Sequence, residues 1–227
     1  SQIQIIEMEA FAFSNIECIK LPPHLTKICE NAFFSCDFLR KIEIPFDSEL
    51  RIIEKGAFSF TSLEEIVIPS NLVELQDGWC EETQNLTKIS VSPDNHYFKS
   101  YKDDFIIKKS NPESDNYDIL VFAQRDIVNA QIPSVITIIG PFAFSQCSML
   151  EKVEFSNDSK LQIIEERSFS ETSIKYIMLP NSLKIIKDSA FTHCKFLETI
   201  LIQEDSELQT ICRSAFLIRQ LLVYQFH

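Results

Sequence analysis

The sequence predicts a strand-dominated α/β solenoid, in which coils of chain stack and each coil contributes one short strand to a parallel sheet. Three observations predict this fold. A small residue followed by an aromatic residue recurs along the chain, and a short alternation of aliphatic residues recurs after it. The composition is also unusual, with 19 phenylalanines and only 3 glycines. Such a repeat indicates one aromatic position that is used again and again in a core.

The small–aromatic pairs set the length of the repeat. They occur at Ala10-Phe11, Ala32-Phe33, Ala57-Phe58, Gly78-Trp79, Ala143-Phe144, Ser168-Phe169, Ala190-Phe191 and Ala215-Phe216. The aromatic residues are 22, 25, 21, 65, 25, 22 and 25 positions apart. Subtracting one typical repeat from the long interval leaves an insertion of roughly forty residues. We therefore predict one array of about eight repeats over residues 1–227, with an insertion over residues 94–134.

A period-two alternation of aliphatic residues follows most pairs and predicts the strands. Its examples are Ile19-Lys20-Leu21, Ile42-Glu43-Ile44, Ile66-Val67-Ile68, Ile89-Ser90-Val91, Val153-Glu154-Phe155, Ile177-Met178-Leu179 and Ile200-Leu201-Ile202. A single short strand cannot bury its inner face alone, so neighbouring strands are expected to form one parallel sheet on the concave side. The aromatic segments are expected to form irregular or short helical arcs on the outside.

The 25-residue steps contain an additional Asp-Ser turn, at Asp47, Asp158 and Asp205. A ladder of carboxylates suggests calcium, but the shorter repeats interrupt it, and we favour turn capping. Within the insertion, two apolar runs flank the polar segment KKSNPESDNYD, which predicts a projecting β-hairpin.

Composition excludes several functions. The net charge of −12 disfavours nucleic acid and anionic membranes, and no two glycines lie close enough to cradle a phosphate. The longest uncharged run, 127–150, contains two prolines, so direct membrane insertion is not expected. No histidines share a ligand-like spacing, and Cys194 beside His193 sits at a repeated position that indicates a buried thiol. We expect no metal, no cofactor and no enzyme activity.

The motifs resemble those of BspA-type (Treponema-type) leucine-rich repeats. The family pattern LxxIxxxAFxxCxxLxxIxIPxxL is followed closely by LTKICENAFFSCDFLRKIEIPFDSEL (25–50) and LKIIKDSAFTHCKFLETILI (183–202). The insertion is similar to a recurrent element of the same family. This resemblance implies a leucine-rich repeat solenoid located at the cell surface or outside the cell. It also implies adhesion to a host matrix protein, a host cell-surface protein or another microbe.

The concave sheet is the expected docking surface, because it is broad and rigid. Residues between the inward aliphatics face outward there, and we predict that Tyr176, Met178, Leu201, Val67 and Glu154 contact a partner protein. Gln225 occupies the equivalent place in the last repeat. Two alternatives are a covering by further chain and scattered apolar residues without a role.

Location is predicted from two features that favour different compartments. The sequons at Asn85 and Asn157 are expected glycosylation sites if the chain enters a secretory pathway. Seven cysteines without a pairing scheme favour the alternative function, an intracellular scaffold or effector. The sequence begins in the middle of a repeat, so we expect a fragment of a longer protein.

Overall fold

The computed structural model describes residues 3–217 and the backbone of residues 223–226. It consists of strands and turns, and no helix occurs among these residues, so the α/β class is corrected to all-β. Of the two predicted forms of the outer arc, the irregular one is found and the helical one is wrong. The residues form two compact units, Ser1–Ile106 and Ile107–His227.

Two parallel ladders organise the first unit. Its strands are β1 Ile5–Ile6, β2 Cys18–Lys20, β3 Lys27–Ile28, β4 Lys41–Glu43, β5 Ile52–Ile53, β6 Glu65–Ile68, β7 Glu74–Leu75, β8 Lys88–Val91 and β9 Phe98–Tyr101. Strands β2, β4, β6 and β8 form the front sheet, and β1, β3, β5 and β7 form a second ladder. Each coil therefore contributes two strands.

The second unit repeats this plan. After β10, Phe105–Lys109, at which the units divide, its strands are β11 Tyr117–Ala123, β12 Asn129–Ile132, β13 Ile138–Ile139, β14 Lys152–Phe155, β15 Ile163–Ile164, β16 Tyr176–Met178, β17 Ile185–Ile186, β18 Thr199–Ile202, β19 Thr210–Ile211 and β20 Val223–Phe226. Its front strands pair as β12–β14 and as β16–β18–β20. Its second ladder runs from β11 through β13, β15 and β17 to β19.

The front strands form where the alternation predicts them. Within β6, Ile66 and Ile68 are buried, while Glu65 and Val67, which alternate with them, are half-buried. The partner of Ile66 on the next coil is Ile89, so like residues meet in register. Because the period is two, one face of each sheet is apolar and covered, and the other faces solvent.

The second ladder was not predicted, and it arises from the Leu-x-x-Ile motif that precedes each aromatic residue. In β5, Ile53 is fully buried, whereas Ile52 is half-buried and pairs with Lys27 and Glu74 on the neighbouring coils. A strand of two residues is too short for period two to be visible in the sequence. The prediction of one sheet is therefore corrected: each unit has front strands and a second ladder, and the front strands of the second unit are divided between two sheets.

A column of phenylalanine rings fills the core of each unit. In the first unit Phe33 stacks on Phe11 at 5.1 Å between ring centroids and on Phe58 at 5.4 Å. In the second unit, the rings of Phe144, Phe169, Phe191 and Phe216 follow at 4.8, 5.0 and 5.0 Å. These spacings match the distance between neighbouring strands. Offset-stacked rings at such distances add ~0.5–1.5 kcal/mol per pair to the gain from burial.

Backbone hydrogen bonds between coils hold the arcs in the same register. The amide of Phe33 donates to Ala57 O at 2.9 Å, and the amide of Phe191 donates to Ala215 O at 2.8 Å. Each phenylalanine thus bonds to the residue that precedes the phenylalanine of the next coil. An arc closed in this way satisfies its amides through its neighbour, so it has no need of a helix.

One predicted marker, Gly78-Trp79, is shifted by one residue in the structure. The amide of Phe58 donates to Trp79 O at 2.8 Å, so Trp79 occupies the alanine place and Cys80 the phenylalanine place. The cause is backbone geometry: Gly78 aligns with Gly56, and both have positive φ, 71° and 65°. The alignment of this coil with its neighbour therefore follows Gly78, the residue with the left-handed backbone conformation, and not the aromatic residue Trp79.

The segment 94–134, predicted as an insertion, contains a coil of the same kind. Strand β11 pairs with β13 in parallel, and β12 pairs with β14. The amide of Ala123 donates to Ala143 O at 2.9 Å, so Ala123 takes the phenylalanine place. The first unit then has four such places and the second has five: Phe11, Phe33, Phe58 and Cys80, then Ala123, Phe144, Phe169, Phe191 and Phe216. The single array over residues 1–227 stays a prediction.

A matched pair of phenylalanines tests the core. Phe191→Ala should lower the free energy of unfolding by about 3–5 kcal/mol, because the ring is fully buried between two others. Phe196→Ala in the same coil is the control, because that side chain is 55% exposed, and its effect should stay below about 0.5 kcal/mol. Urea titration followed by circular dichroism measures both. A loss below about 1 kcal/mol for Phe191→Ala would contradict the core role.

Candidate functional site

An apolar patch lies on the front face of the second unit. Tyr176 and Met178 on β16 are 47% and 49% exposed, and Met178 pairs in register with Leu201 on β18. Ile177, between Tyr176 and Met178, and Ile200, next to Leu201, point inward and are fully buried. We call Tyr176, Met178 and Leu201 the front patch. Three of the five predicted contact residues therefore lie together on adjacent parallel strands, where the backbone fixes their spacing.

A charged pair lies on β14, next to β16 on the same face. Lys152 Nζ is 2.5 Å from Glu154 Oε1, and both side chains are exposed to solvent at 42% and 44%. The hydrogen bond from Lys152 holds the pKa of Glu154 below its usual value. Glu154 is thus a carboxylate beside the front patch. Gln203 Nε2 lies 3.5 Å from the sulfur of Met178 on the other side. The side chain of Gln225 lies outside the described residues.

The front face of the first unit is polar. Lys41 Nζ lies 3.4 Å from Glu65 and 3.9 Å from Glu43, and all three side chains are about half exposed. Val67 is half-buried and pairs with Ser90, so it has no apolar neighbour across the ladder on that side. The starts of these strands line a polar groove of about 600 Å³ that includes Asn85. The fifth predicted contact, Val67, thus sits in a polar face.

The polar segment of the predicted projection connects β10 and β11, which are neighbours in the sheet order. Its base is tied at Ser110, whose amide and hydroxyl lie 2.9 and 2.8 Å from the carboxylate of Asp118. Asp118 is held in turn by Thr137, whose amide donates to Asp118 O at 2.8 Å. We call residues 111–116 the tip; five of its six residues are exposed, Ser114 is half-buried, and the backbone there lacks strand structure. Hairpin geometry stays a prediction.

His193 and Cys194 do not form a catalytic pair. The thiol of Cys194 is fully buried, donates to Phe169 O at 3.0 Å and lies 3.3 Å from Thr172 Oγ1, while His193 is exposed. Burial raises the pKa of Cys194 to about 11, so the nucleophilic thiolate is suppressed. Cys36 makes the same bond to Phe11 O at 3.0 Å. These thiols link one coil to the next.

The Asp-Ser turns are capped by the serine hydroxyls. The amide two residues later donates to Ser48, Ser159 and Ser206 at 3.2–3.3 Å. Among the described residues, no three His, Cys, Asp or Glu side chains are grouped so that they could hold a metal ion. In the same part of the chain, no helix has the length and apolar character required to cross a membrane.

Both predicted glycosylation residues, Asn85 and Asn157, are exposed. Their geometry therefore leaves the side-chain amides accessible. All seven cysteines are free thiols. Cys18 is exposed, Cys212 is half-buried, and the remainder are buried.

One surface of the first unit is not predicted by the repeat pattern. Phe13, Phe34 and Phe60 are not core residues but lie on the arcs of the first unit, where Phe13 is 72% and Phe60 is 45% exposed. The signal was present as an additional phenylalanine in AFAF, AFF and AFSF. The count of 19 phenylalanines was assigned to the core, although one ring per coil accounts for fewer than half of them.

Comparison with protein families identifies the repeat. The family model described as BspA type leucine rich repeat region matches six copies, over residues 1–102 and 119–226. The part left out, 103–118, contains β10 and the tip. A search of the curated proteins finds no match.

Three solved structures have a similar fold. The pneumococcal vaccine antigen PcpA has a TM-score of 0.85 and 25% identity, over 95% of this chain and 51% of that one. A leucine rich cell surface protein from Faecalibacterium prausnitzii has a TM-score of 0.64 and 20% identity, over 87% and 59%. A leucine-rich repeat protein from Bacteroides ovatus has a TM-score of 0.58 and 24% identity, over 92% and 55%. The chain thus spans between half and three fifths of these structures.

Proposed function

This chain belongs to the BspA-type leucine-rich repeat family, and from that premise we propose that it is a non-enzymatic module that binds proteins through its front face and its tip. Leucine-rich repeat solenoids are typically protein-binding modules. The observation that carries the proposal is the front patch: two side chains about half exposed, one of them aromatic, on a parallel sheet. Aromatic residues on a rigid surface lose little conformational entropy when a partner covers them, so they are frequent hot spots.

The front patch has the composition of an interface core with a polar rim. Tyr176, Met178 and Leu201 supply apolar area, and Lys152 with Glu154 supplies charge at its margin. Fully desolvated apolar contacts provide most of the affinity of a typical interface, while rim charges govern partner choice and association rate. The first unit, with Val67 in a polar face, contributes complementary polar contacts in this proposal.

We propose a location at the cell surface, where the module binds a host matrix protein, a host cell or another microbe. The relatives support this proposal, because one is a cell surface protein by description and another a vaccine antigen. The exposed sequons Asn85 and Asn157 are compatible with secretion. The specific observation that favours the alternative, an intracellular scaffold, is the presence of seven free thiols.

The front patch is tested by binding to a panel of immobilised host matrix proteins. Tyr176→Ser with Met178→Ser should weaken binding about tenfold or more, because two hot-spot side chains are lost. The same two changes should shift thermal melting little, since both side chains are about half exposed. The matched control, Met149→Ser with Phe196→Ser, removes two apolar side chains that are 54% and 55% exposed outside the strands of the second unit, and it should leave binding unchanged. A double variant at Tyr176 and Met178 that binds as tightly as the intact chain would refute the front patch.

The tip is tested by shortening it. Replacement of residues 111–116 by Asn-Gly retains Ser110 and Asp118, and hence their mutual hydrogen bonds and the bond that the Thr137 amide donates to Asp118 O. Melting should remain nearly unchanged, and binding to the matrix panel should be lost. The control replaces residues 111–116 with a Gly/Ser segment of the same length. If shortening leaves binding intact, the tip is not a contact element.

The compartment is tested by mass spectrometry of the native protein. Glycan attached at Asn85 or Asn157, or labelling by a membrane-impermeant reagent on intact cells, is expected for the surface location. Native protein that carries neither and is recovered with reduced cysteines inside the cell would instead support the intracellular scaffold.

A further inference from the structure

A row of three phenylalanines crosses the arcs of the first unit; Phe13 and Phe60 are exposed, and Phe34 between them is half-buried. The ring centroids of Phe13 and Phe34 are 5.6 Å apart, and those of Phe34 and Phe60 are 5.3 Å apart. The pairs are inclined at 73° and 60°, so each ring presents an edge to the next. Phe13 is 72% exposed and Phe60 is 45% exposed. We call these three residues the arc row.

Two members of the arc row occupy a backbone conformation that disfavours them. Phe13 has φ of 60° and Phe60 has φ of 57°, the left-handed region in which a bulky side chain is strained. The corresponding residue in other arcs is small or polar: Ser35, Glu82, Gln146, Glu171 and His193. Burial offsets only part of this strain, because 72% of Phe13 and 45% of Phe60 stay exposed to solvent. Strain retained at a surface position indicates a function for the side chain.

The arcs of the first unit are also strongly acidic. The nine-residue arcs 7–15, 29–37, 54–62 and 76–84 contain one basic residue, Lys55, and eight acidic ones: Glu7, Glu9, Glu30, Asp37, Glu54, Asp77, Glu81 and Glu82. Glu54 is paired with Lys27 at 2.6 Å. Glu7, Glu9, Asp37 and Asp77 are exposed.

The arcs of the second unit have no such bias. Through residue 217 they contain five acidic residues, Asp126, Glu165, Glu166, Glu171 and Asp188, and five basic residues, Arg125, Arg167, Lys187, Lys195 and Arg213. Both units have the same fold, so the acidity of the first is not a requirement of the arc. The excess of acidic residues is therefore specific to the arcs of the first unit, which also contain the arc row.

We propose that the arc row and the carboxylates of its arcs form a second binding surface, separate from the front patch, for a cationic segment of a protein partner. The face of an aromatic ring attracts Lys and Arg side chains through its quadrupole, and carboxylates attract the same groups. Arginine is the better fit, because its planar guanidinium packs on a ring while it donates to a carboxylate. The net negative potential of these arcs also speeds the association of a basic partner.

Other occupants fit less well. A second copy of the chain would bring two acidic surfaces together, which costs free energy. An anionic membrane is repelled for the same reason. A glycan usually lies flat on coplanar rings, whereas these rings are inclined to one another by 60° or more.

The test uses a synthetic peptide in which arginine alternates with glycine, and calorimetry on the intact chain. Phe13→Asn with Phe60→Asn removes both strained rings, and asparagine tolerates positive φ, so the melting temperature should stay equal or rise. Affinity for the peptide should fall about fivefold to thirtyfold, from the loss of two cation–π contacts. The matched control is Phe46→Asn, an exposed phenylalanine of the same unit outside the arc row, which should retain full affinity.

Neither variant changes the net charge of −12, so general attraction of the peptide to an acidic protein is identical in all three proteins. A second variant, Glu9→Gln with Asp37→Asn, keeps the rings and removes charge. It should weaken binding and reduce the dependence of affinity on salt. Equal affinity of the Phe13/Phe60 variant and the intact chain would overturn the proposal. So would binding of a neutral oligosaccharide, but not of the peptide, at the arc row.

Discussion

Contact between equivalent residues of successive coils is the constraint on which this structure depends. A coil of 22 or 25 residues has no core of its own, and its phenylalanine is covered only when the next coil brings a ring to about 5 Å. The same step satisfies the backbone, because the amide of Phe169 donates to Ala190 O at 2.8 Å. Ring stacking and amide pairing require the same register, so each reinforces the other. A slip by one residue would lose both.

This constraint explains which side-chain positions can differ from one coil to the next. Residues that face the next coil are mostly Leu, Ile, Phe and Ala. A few small polar groups join them, such as the thiol of Cys194 and the hydroxyl of Thr172, both bonded to Phe169 O. Residues that face solvent on the front strands and on the arcs are free to differ from coil to coil. The front patch of the second unit and the arc row of the first unit are two such departures, apolar in one case and aromatic with acidic surroundings in the other.

The sequence predicted the front strands and the ring column well, because the period-two alternation around Ile66 and the recurrence of Phe33, Phe144 and Phe191 are direct consequences of stacking. It failed where the backbone, and not the side chain, sets the register. Gly78 determines the alignment of its coil through a positive φ, and the neighbouring Trp79 misled the pattern. Strands of the second ladder, such as β5, have only two residues and are too short to show a period-two pattern in the sequence. For the candidate site, outward positions such as Met178 could be predicted from the alternation of the strand. The exposure of Phe13 could not, because it depends on the arc conformation, and with only 3 glycines the sequence gives little sign of where that conformation occurs.

Hydrogen exchange of single backbone amides tests the central claim most directly. The amides of Phe33, Phe169 and Phe191 lie in arcs without helix or strand, so the only partner that the geometry gives them is a carbonyl of the next coil, at 2.8–2.9 Å. If the coils stack in this register, these amides should exchange as slowly as those of the buried front strands, for example at Ile200, and only through opening of a whole group of coils. Exchange at the rate of an unprotected turn would contradict the account, because it would mean that the arcs are not closed by their neighbours.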